Sequence, residues 1–176
     1  MIISLCGFMG CGKSSVGRTL SSLLGCRLTD LDECVEEAAG KSITEIFTSS
    51  GEAGFRALEL QTLGRVIEGC GGELSVLSLG GGTLTSEECR EMIRKNTFCV
   101  YLRATADTLE ENLKGGTDQR PMLRGGNLRE RIEELLAQRA SVYEGCADMI
   151  TDTDGRSDED IAREIARDDR IVGFIA

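Results

Sequence analysis

The chain predicts an α/β domain of three layers, a mostly parallel five-stranded sheet flanked by helices. Two observations carry this. The apolar segment Ile2-Ile3-Ser4-Leu5-Cys6 runs into Gly7-Phe8-Met9-Gly10-Cys11-Gly12-Lys13-Ser14 and then into a stretch of helical spacing. Beyond it, short apolar segments at 27–30, 74–79, 97–102 and 147–151 alternate with amphipathic stretches. Such alternation makes parallel strands whose crossover helices cover the sheet. At 176 residues the chain fits one domain, 1–176.

The elements follow in order. Residues 15–24 place Val16, Leu20, Leu23 and Leu24 on one side of a helix. The second strand, 27–30, ends in Asp30-Leu31-Asp32, and a short helix at 33–39 is stopped by Gly40. Ser42-Ile43-Thr44-Glu45 is a capping box, opening a helix with Ile43, Ile46 and Phe47 on its apolar face. Gly51 breaks it, and helical periodicity resumes over 52–68, with Arg56 and Glu59 close enough to pair. The strand at 74–79 meets Gly80-Gly81-Gly82 at once. Ser86 caps a helix to about Arg94, the strand at 97–102 is rich in β-branched and aromatic residues, and 106–113 is helical. Two glycine pairs then bracket a polar segment, 115–126, that holds Arg120 and the chain's only proline, Pro121. This reads as a mobile flap. A long amphipathic helix over 128–144 carries Arg139 and Tyr143, and Ser157 caps the last helix, to about Arg167. The apolar tail at 171–175 has no assigned place.

Composition narrows the function. The net charge of −10 argues against non-specific nucleic-acid binding, which needs a basic surface. It does not oppose an anionic small substrate gripped by local arginines, whose planar fork suits carboxylate or phosphate. With no histidine and no C-x-x-C pair, a Cys/His zinc site is excluded. The eight cysteines read as reduced thiols, and Cys6 and Cys99 as small hydrophobes in buried strands. No secretion signal and no membrane span are read, so a cytoplasmic location is expected.

The glycine-rich stretch reads G-x-x-x-x-G-K-S, a phosphate-binding P-loop, in its proper setting between strand and helix. Its glycines turn backbone N–H groups toward phosphate oxygens, and the helix N-terminus adds partial positive charge. Gly10, Cys11, Gly12, Lys13, Ser14 and Ser15 are the candidate nucleotide-binding residues. Lys13 would reach the β- and γ-phosphates, and Ser14 would ligate Mg²⁺. Asp30 and Asp32, two apart on an extended strand end, project to one side. One carboxylate could hold Mg²⁺ through water while the other accepts the proton of an attacking hydroxyl. Taken alone, Asp32 could equally cap the helix at 33–39; the P-loop nearby favours the chemical role. The third strand ends in glycine where many P-loop enzymes carry an acidic metal partner, which makes Asp30 the best candidate for that task. Gly80, Gly81 and Gly82 leave room for a ligand against bare backbone.

The ordered set resembles the shikimate kinase family of P-loop small-molecule kinases. It consists of the P-loop, Asp30-Leu31-Asp32, Gly51-Glu52 leading to Phe55-Arg56, Leu79-Gly80-Gly81-Gly82, Arg120-Pro121, and Arg139 with Tyr143, over residues 1 to about 165. The resemblance implies a P-loop NTPase, nucleoside-monophosphate-kinase-like fold with a mobile lid at about 115–126. It also implies phosphoryl transfer from ATP to the 3-hydroxyl of shikimate, with Mg²⁺, by a cytoplasmic monomer with no nucleic-acid or membrane partner. By the same resemblance Asp32 binds the attacking hydroxyl, Asp30 sits near Mg²⁺, and Arg56 and Arg139 hold the shikimate carboxylate. Gly81 lies against the substrate ring, Arg120 swings over the transferring phosphoryl group, and Arg156 lines the adenine site. Relatives usually carry an arginine ahead of the flap; here Asn112 stands near that place, with Lys114 two residues on. Cys11 replaces a common alanine, with its side chain expected to point away from phosphate. Two other readings share the P-loop: a gluconate or nucleoside-monophosphate kinase, and a non-catalytic nucleotide-binding protein. The Arg56/Arg139 pair favours a carboxylated acceptor over the first, and the joint presence of Lys13, Asp32 and Arg120 disfavours the second.

Overall fold

The computed structural model describes residues 1–114 and 127–176. Five parallel strands, β1 (Ile2–Cys6), β2 (Arg27–Asp30), β3 (Ser75–Ser78), β4 (Phe98–Arg103) and β5 (Met149–Asp152), form one sheet in the order β2-β3-β1-β4-β5. β1 pairs with β3 on one side and β4 on the other, Ser4 lying level with Leu77 and Cys99. All five residues of β1 and all four of β3 are buried. A strand without an exposed face needs cover on both sides of the sheet, and the crossover helices supply it. Each fully buried aliphatic residue here, such as Ile3, Leu5, Val76 or Val100, is worth roughly 1.5–3 kcal/mol.

The helices are α1 (Lys13–Leu24), α2 (Leu31–Ala39), α3 (Ile43–Gly69), α4 (Glu87–Asn96), α5 (Ala106–Leu113), α6 (Leu128–Cys146), α7 (Asp158–Ala166) and α8 (Asp169–Ile175). α1 packs on α7 and on the sheet at β1, β2 and β3, while α4 and α6 pack on β4 and on each other. The caps at Ser42, Ser86 and Ser157 form as the sequence predicts, with the reciprocal capping box at Ser42 and Glu45. Gly51 stands inside α3 at φ 68°, ψ −176°, a left-handed φ open to glycine. The break brings Phe47 and Phe55 together with ring centroids 4.8 Å apart. The chain switches direction across the sheet beside β1, so its carboxyl end is the place where a doubly wound sheet opens a crevice.

Three expectations need correcting or placing. The helix predicted at 33–39 begins at Leu31, and its cap is Asp30, not Asp32: the Asp30 carboxylate accepts the Asp32 N–H at 3.0 Å. Asp32 therefore sits in the first helical turn rather than on a strand end. The tail at 171–175 belongs to α8, which buries Ile171 and leaves Val172, Phe174 and Ile175 exposed. The flap expected at 115–126, with Arg120, lies outside the described residues. No helix among the described residues is long and apolar enough to cross a membrane.

Candidate active site

A cleft of about 1210 Å³ opens where β1, β2, β3 and β5 end. Its walls come from distant parts of the chain: the P-loop, the start of α2, both halves of α3, the 80–82 loop, α6 and the turn into α7. Among the described site residues predicted from sequence, Gly10, Cys11, Gly12, Lys13, Ser14, Ser15, Asp30, Asp32, Arg56, Gly80, Gly81, Gly82, Arg139 and Arg156 all line it.

The P-loop owes its path to glycine. Gly7, Gly10 and Gly12 have φ of 140°, 85° and 98°. A side chain at Gly7 would also meet the Leu102 carbonyl oxygen at 2.6 Å, and one at Gly10 would strike Leu113. Gly12 is the N-cap of α1 and brings no side-chain hydrogen bond, nor is there an acidic residue in the first turn. The opening turn of α1 thus carries no acidic residue of its own, which favours an anion at its free N–H groups. Lys13 is buried and folds its ammonium onto the Gly7 and Phe8 carbonyls, 2.9 Å each, with the Cys11 sulfur at 3.8 Å. The Cys11 thiol is itself turned into the protein, and Ser15 donates to Gly12 O at 3.0 Å. Asn112 reaches across from α5 to donate to Gly10 O at 2.9 Å, while Lys114 pairs with Glu111 on the surface.

Asp30 engages both of its oxygens. One caps α2 and the other accepts from the Ser14 hydroxyl at 3.2 Å. Among the described residues no three of His, Cys, Asp or Glu gather as a metal-binding group. The Ser14–Asp30 pair is of another kind: two hard oxygen donors beside a phosphate loop suit Mg²⁺, which keeps waters and phosphate oxygens in its shell.

Asp32 lies deeper. Burial pushes its carboxyl up to about 6, the neighbouring Asp30 and Glu59 carboxylates push the same way, and Lys13 pulls back. Its position is set by Gly80, where a Cβ would stand 2.7 Å from Asp32 Oδ1. The other two glycines act alike: a Cβ at Gly81 would press on the Met9 backbone nitrogen at 3.0 Å, and one at Gly82 on Arg56 Nη2 at 2.3 Å. None of the three has positive φ. Their role is close approach, and what approaches is the chain's own Asp32, Met9 and Arg56.

Arg56 is held by Glu59, Nη1 to Oε2 at 2.6 Å, with Glu52 at 3.6 Å on its outer side. Glu59 is fully buried and takes a second hydrogen bond from Thr83 Oγ1 at 2.6 Å. The sequence shows Glu59 only as a partner three residues from Arg56; its burial and its bond to Thr83, 24 residues on, are tertiary facts. Arg139 is also buried and donates to the Gly81 carbonyl at 3.3 Å, with its guanidinium 5.9 Å from the Phe8 ring. Arg156 stands at the rim, tied to the Asp152 and Asp160 carbonyls and to Glu164.

The arrangement joins a phosphate cradle, a hydroxyl–carboxylate pair suited to a cation, a recessed carboxylate with raised affinity for protons, and two anchored arginines. The shikimate kinase family profile matches residues 9–170. A shikimate kinase of Chlorobaculum parvum is 42% identical over 97% of this chain and 95% of its own length. One of Geobacter metallireducens is 43% identical over 93% and 88%. A shikimate kinase of Acinetobacter baumannii, solved in complex with shikimate, superposes with a TM-score of 0.89 at 31% identity, covering 94% of this chain and 90% of that one. The chain belongs to the shikimate kinase family, ATP-dependent phosphotransferases.

Proposed function

We propose that this cleft moves the γ-phosphoryl group of ATP to the 3-hydroxyl of shikimate, with Asp32 accepting the proton of the attacking hydroxyl. The observation that carries this reading is the gathering of Lys13, Asp32, Arg56 and Arg139 in one cleft, with Asp32 pushed up to about 6. A base whose affinity for protons lies near the working pH is well matched to its task. Arg56 gives one hydrogen bond to Glu59, with the exposed Glu52 at 3.6 Å from its other amino group, and Arg139 gives one to Gly81 O; this fixes each guanidinium and leaves further N–H groups for a carboxylate. A neutral sugar acceptor would not use two such arginines, and the 31%-identical relative bound to shikimate supports the choice of acceptor.

Phosphoryl transfer asks mainly for alignment and charge neutralisation. The P-loop and Lys13 hold the nucleotide phosphates, and Ser14 with Asp30 would hold Mg²⁺. The ion, when bound, neutralises charge on the β- and γ-phosphates. Arg120, outside the described residues, is assigned to the transferring phosphoryl group by the family resemblance. Arg156 is assigned to the adenine end. The protein is taken to act as a cytoplasmic monomer; the net charge of −10 supports the exclusion of nucleic acid.

The test is an assay of ADP release with ATP and Mg²⁺, run with no acceptor, shikimate, gluconate or a nucleoside monophosphate. Release that depends on shikimate and is negligible with the others is expected. Release indifferent to the acceptor would overturn the reading.

A further inference from the structure

Arg139 and Tyr143 lie one helical turn apart on α6 and share one target, the Gly81 carbonyl oxygen, to which Arg139 Nη1 and the Tyr143 hydroxyl both donate. Both side chains are buried, 5% and 1% exposed. Arg139 lines the cleft, whereas Tyr143 stays behind its wall, with its ring packed on Tyr101 at 5.2 Å. Tyr143 therefore cannot touch a substrate in the cleft. Gly81 is also confined on its other side by the Met9 backbone of the P-loop. Its carbonyl has two lone pairs, and both are taken.

We propose that Tyr143 is a positioning residue for the acceptor: its hydroxyl fixes the Gly81 carbonyl, and that fixed carbonyl holds Arg139 in place for the shikimate carboxylate. This rests on the reading of Arg139 given above. The phenol and the guanidinium of Arg139, the latter at 3.3 Å, close on the same carbonyl oxygen, so the position of each is tied to that oxygen. Removing the hydroxyl frees the 80–82 loop to turn, and the guanidinium loses its fixed anchor. Burial pushes the phenol above its ordinary range, so the hydroxyl keeps its proton through the neutral range.

Tyr143→Phe keeps the ring and its packing and removes only the hydroxyl. The expected result is a rise in KM for shikimate of about 3- to 10-fold, the scale of one hydrogen bond. KM for ATP should stay within about twofold, and the melting temperature should fall by no more than about 4 °C. In an Arg139→Lys background the same substitution should add less than about twofold, because the two changes disturb one linked arrangement. A rise in both KM values alike, no change in either, or a melting temperature lowered by more than about 8 °C would overturn the proposal in favour of a packing role. Full multiplication of the two substitutions would overturn it as well, since Tyr143 would then act without Arg139. Arg139→Lys alone separates this from the underlying reading. If it leaves KM for shikimate unchanged, the carboxylate assignment fails and takes the proposal with it. If it raises KM and Tyr143→Phe does not, only the proposal fails.

Discussion

Asp30 and Asp32 differ by position in one helical turn, and that difference separates the roles proposed for them. Asp30 is the cap and shares its second oxygen with Ser14, whereas Asp32 is recessed and pushed up to about 6 by burial and by its acidic neighbours. Asp32→Asn retains the shape and removes the proposed proton acceptor. General-base contributions are ~10²–10⁴-fold, and a loose phosphoryl-transfer transition state needs little base strength, so a kcat loss near ~10² is expected, with ATP binding held. Parent kcat should rise as pH climbs through about 6 and then level, because only the ionised carboxylate accepts the proton. Stability runs the other way. The folded-state value lies above the ordinary 3.8, so the native chain binds this proton more tightly than the unfolded chain does. The penalty for a charged Asp32 is full above about pH 6 and fades toward pH 4. Asp32→Asn should therefore melt at a higher temperature than the parent at pH 7–8, with the gap closing near pH 4. An unchanged kcat, or a variant that melts lower at pH 8, would count against this assignment.

At the scale of elements, two junctions tie the site together. The 80–82 loop follows β3 directly, and its missing side chains are where Asp32, Met9 and Arg56 come to rest. A methyl at Gly82 meets Arg56 Nη2 at 2.3 Å, the far end of a flexible side chain rather than backbone. Gly82→Ala should thus displace the guanidinium from its pairing with buried Glu59. KM for shikimate should rise at least about tenfold, the scale of a charge-assisted hydrogen bond lost, and the melting temperature should fall as well, because Glu59 is left with a weakened partner. The second junction joins α5 to the P-loop, through the Asn112–Gly10 hydrogen bond and Leu113 seated against Gly10. Asn112→Leu removes the amide donor at an exposed site. Titration should show KM for ATP raised about 2- to 5-fold, with KM for shikimate unmoved. Equal changes in both would mean that the bond supports the fold rather than the nucleotide loop.

For the whole molecule, the parallel sheet provides a rigid base, and the site draws on segments from residue 9 to residue 161 around one cleft. Ligands that bind this assembled cleft, and not the unfolded chain, must stabilise the fold by mass action. Shikimate at about 100 times its Kd should add ~2.7 kcal/mol, or roughly 5–10 °C in melting temperature for a chain of this size. Thermal melts of the parent and of Arg56→Ala check this, since the variant should lose most of the shift at the same shikimate concentration. A shift equal in both would place the substrate elsewhere.

Much of this was legible from residues alone. The P-loop, the five strands and the caps at Ser42, Ser86 and Ser157 are local signals, each set within a few residues by backbone preference, hydrophobic period or a side chain reaching its own helix. The glycines at 7, 10 and 12 belong to the same class, because a left-handed φ is a property of one residue. Other features were not legible. The cap at Asp30 rather than Asp32 is a local bond two residues long, missed by placing the helix start two residues late. The burial of Glu59 beneath Arg56 and Thr83, the packing of Asp32, Met9 and Arg56 onto Gly80, Gly81 and Gly82, and the joint hold of Arg139 and Tyr143 on Gly81 belong to tertiary structure: they bring together groups 24 to 72 residues apart, or depend on how much water the surrounding segments exclude. The raised proton affinity of Asp32 is of this kind, since the desolvation that causes it exists only once several distant segments have closed around one carboxylate.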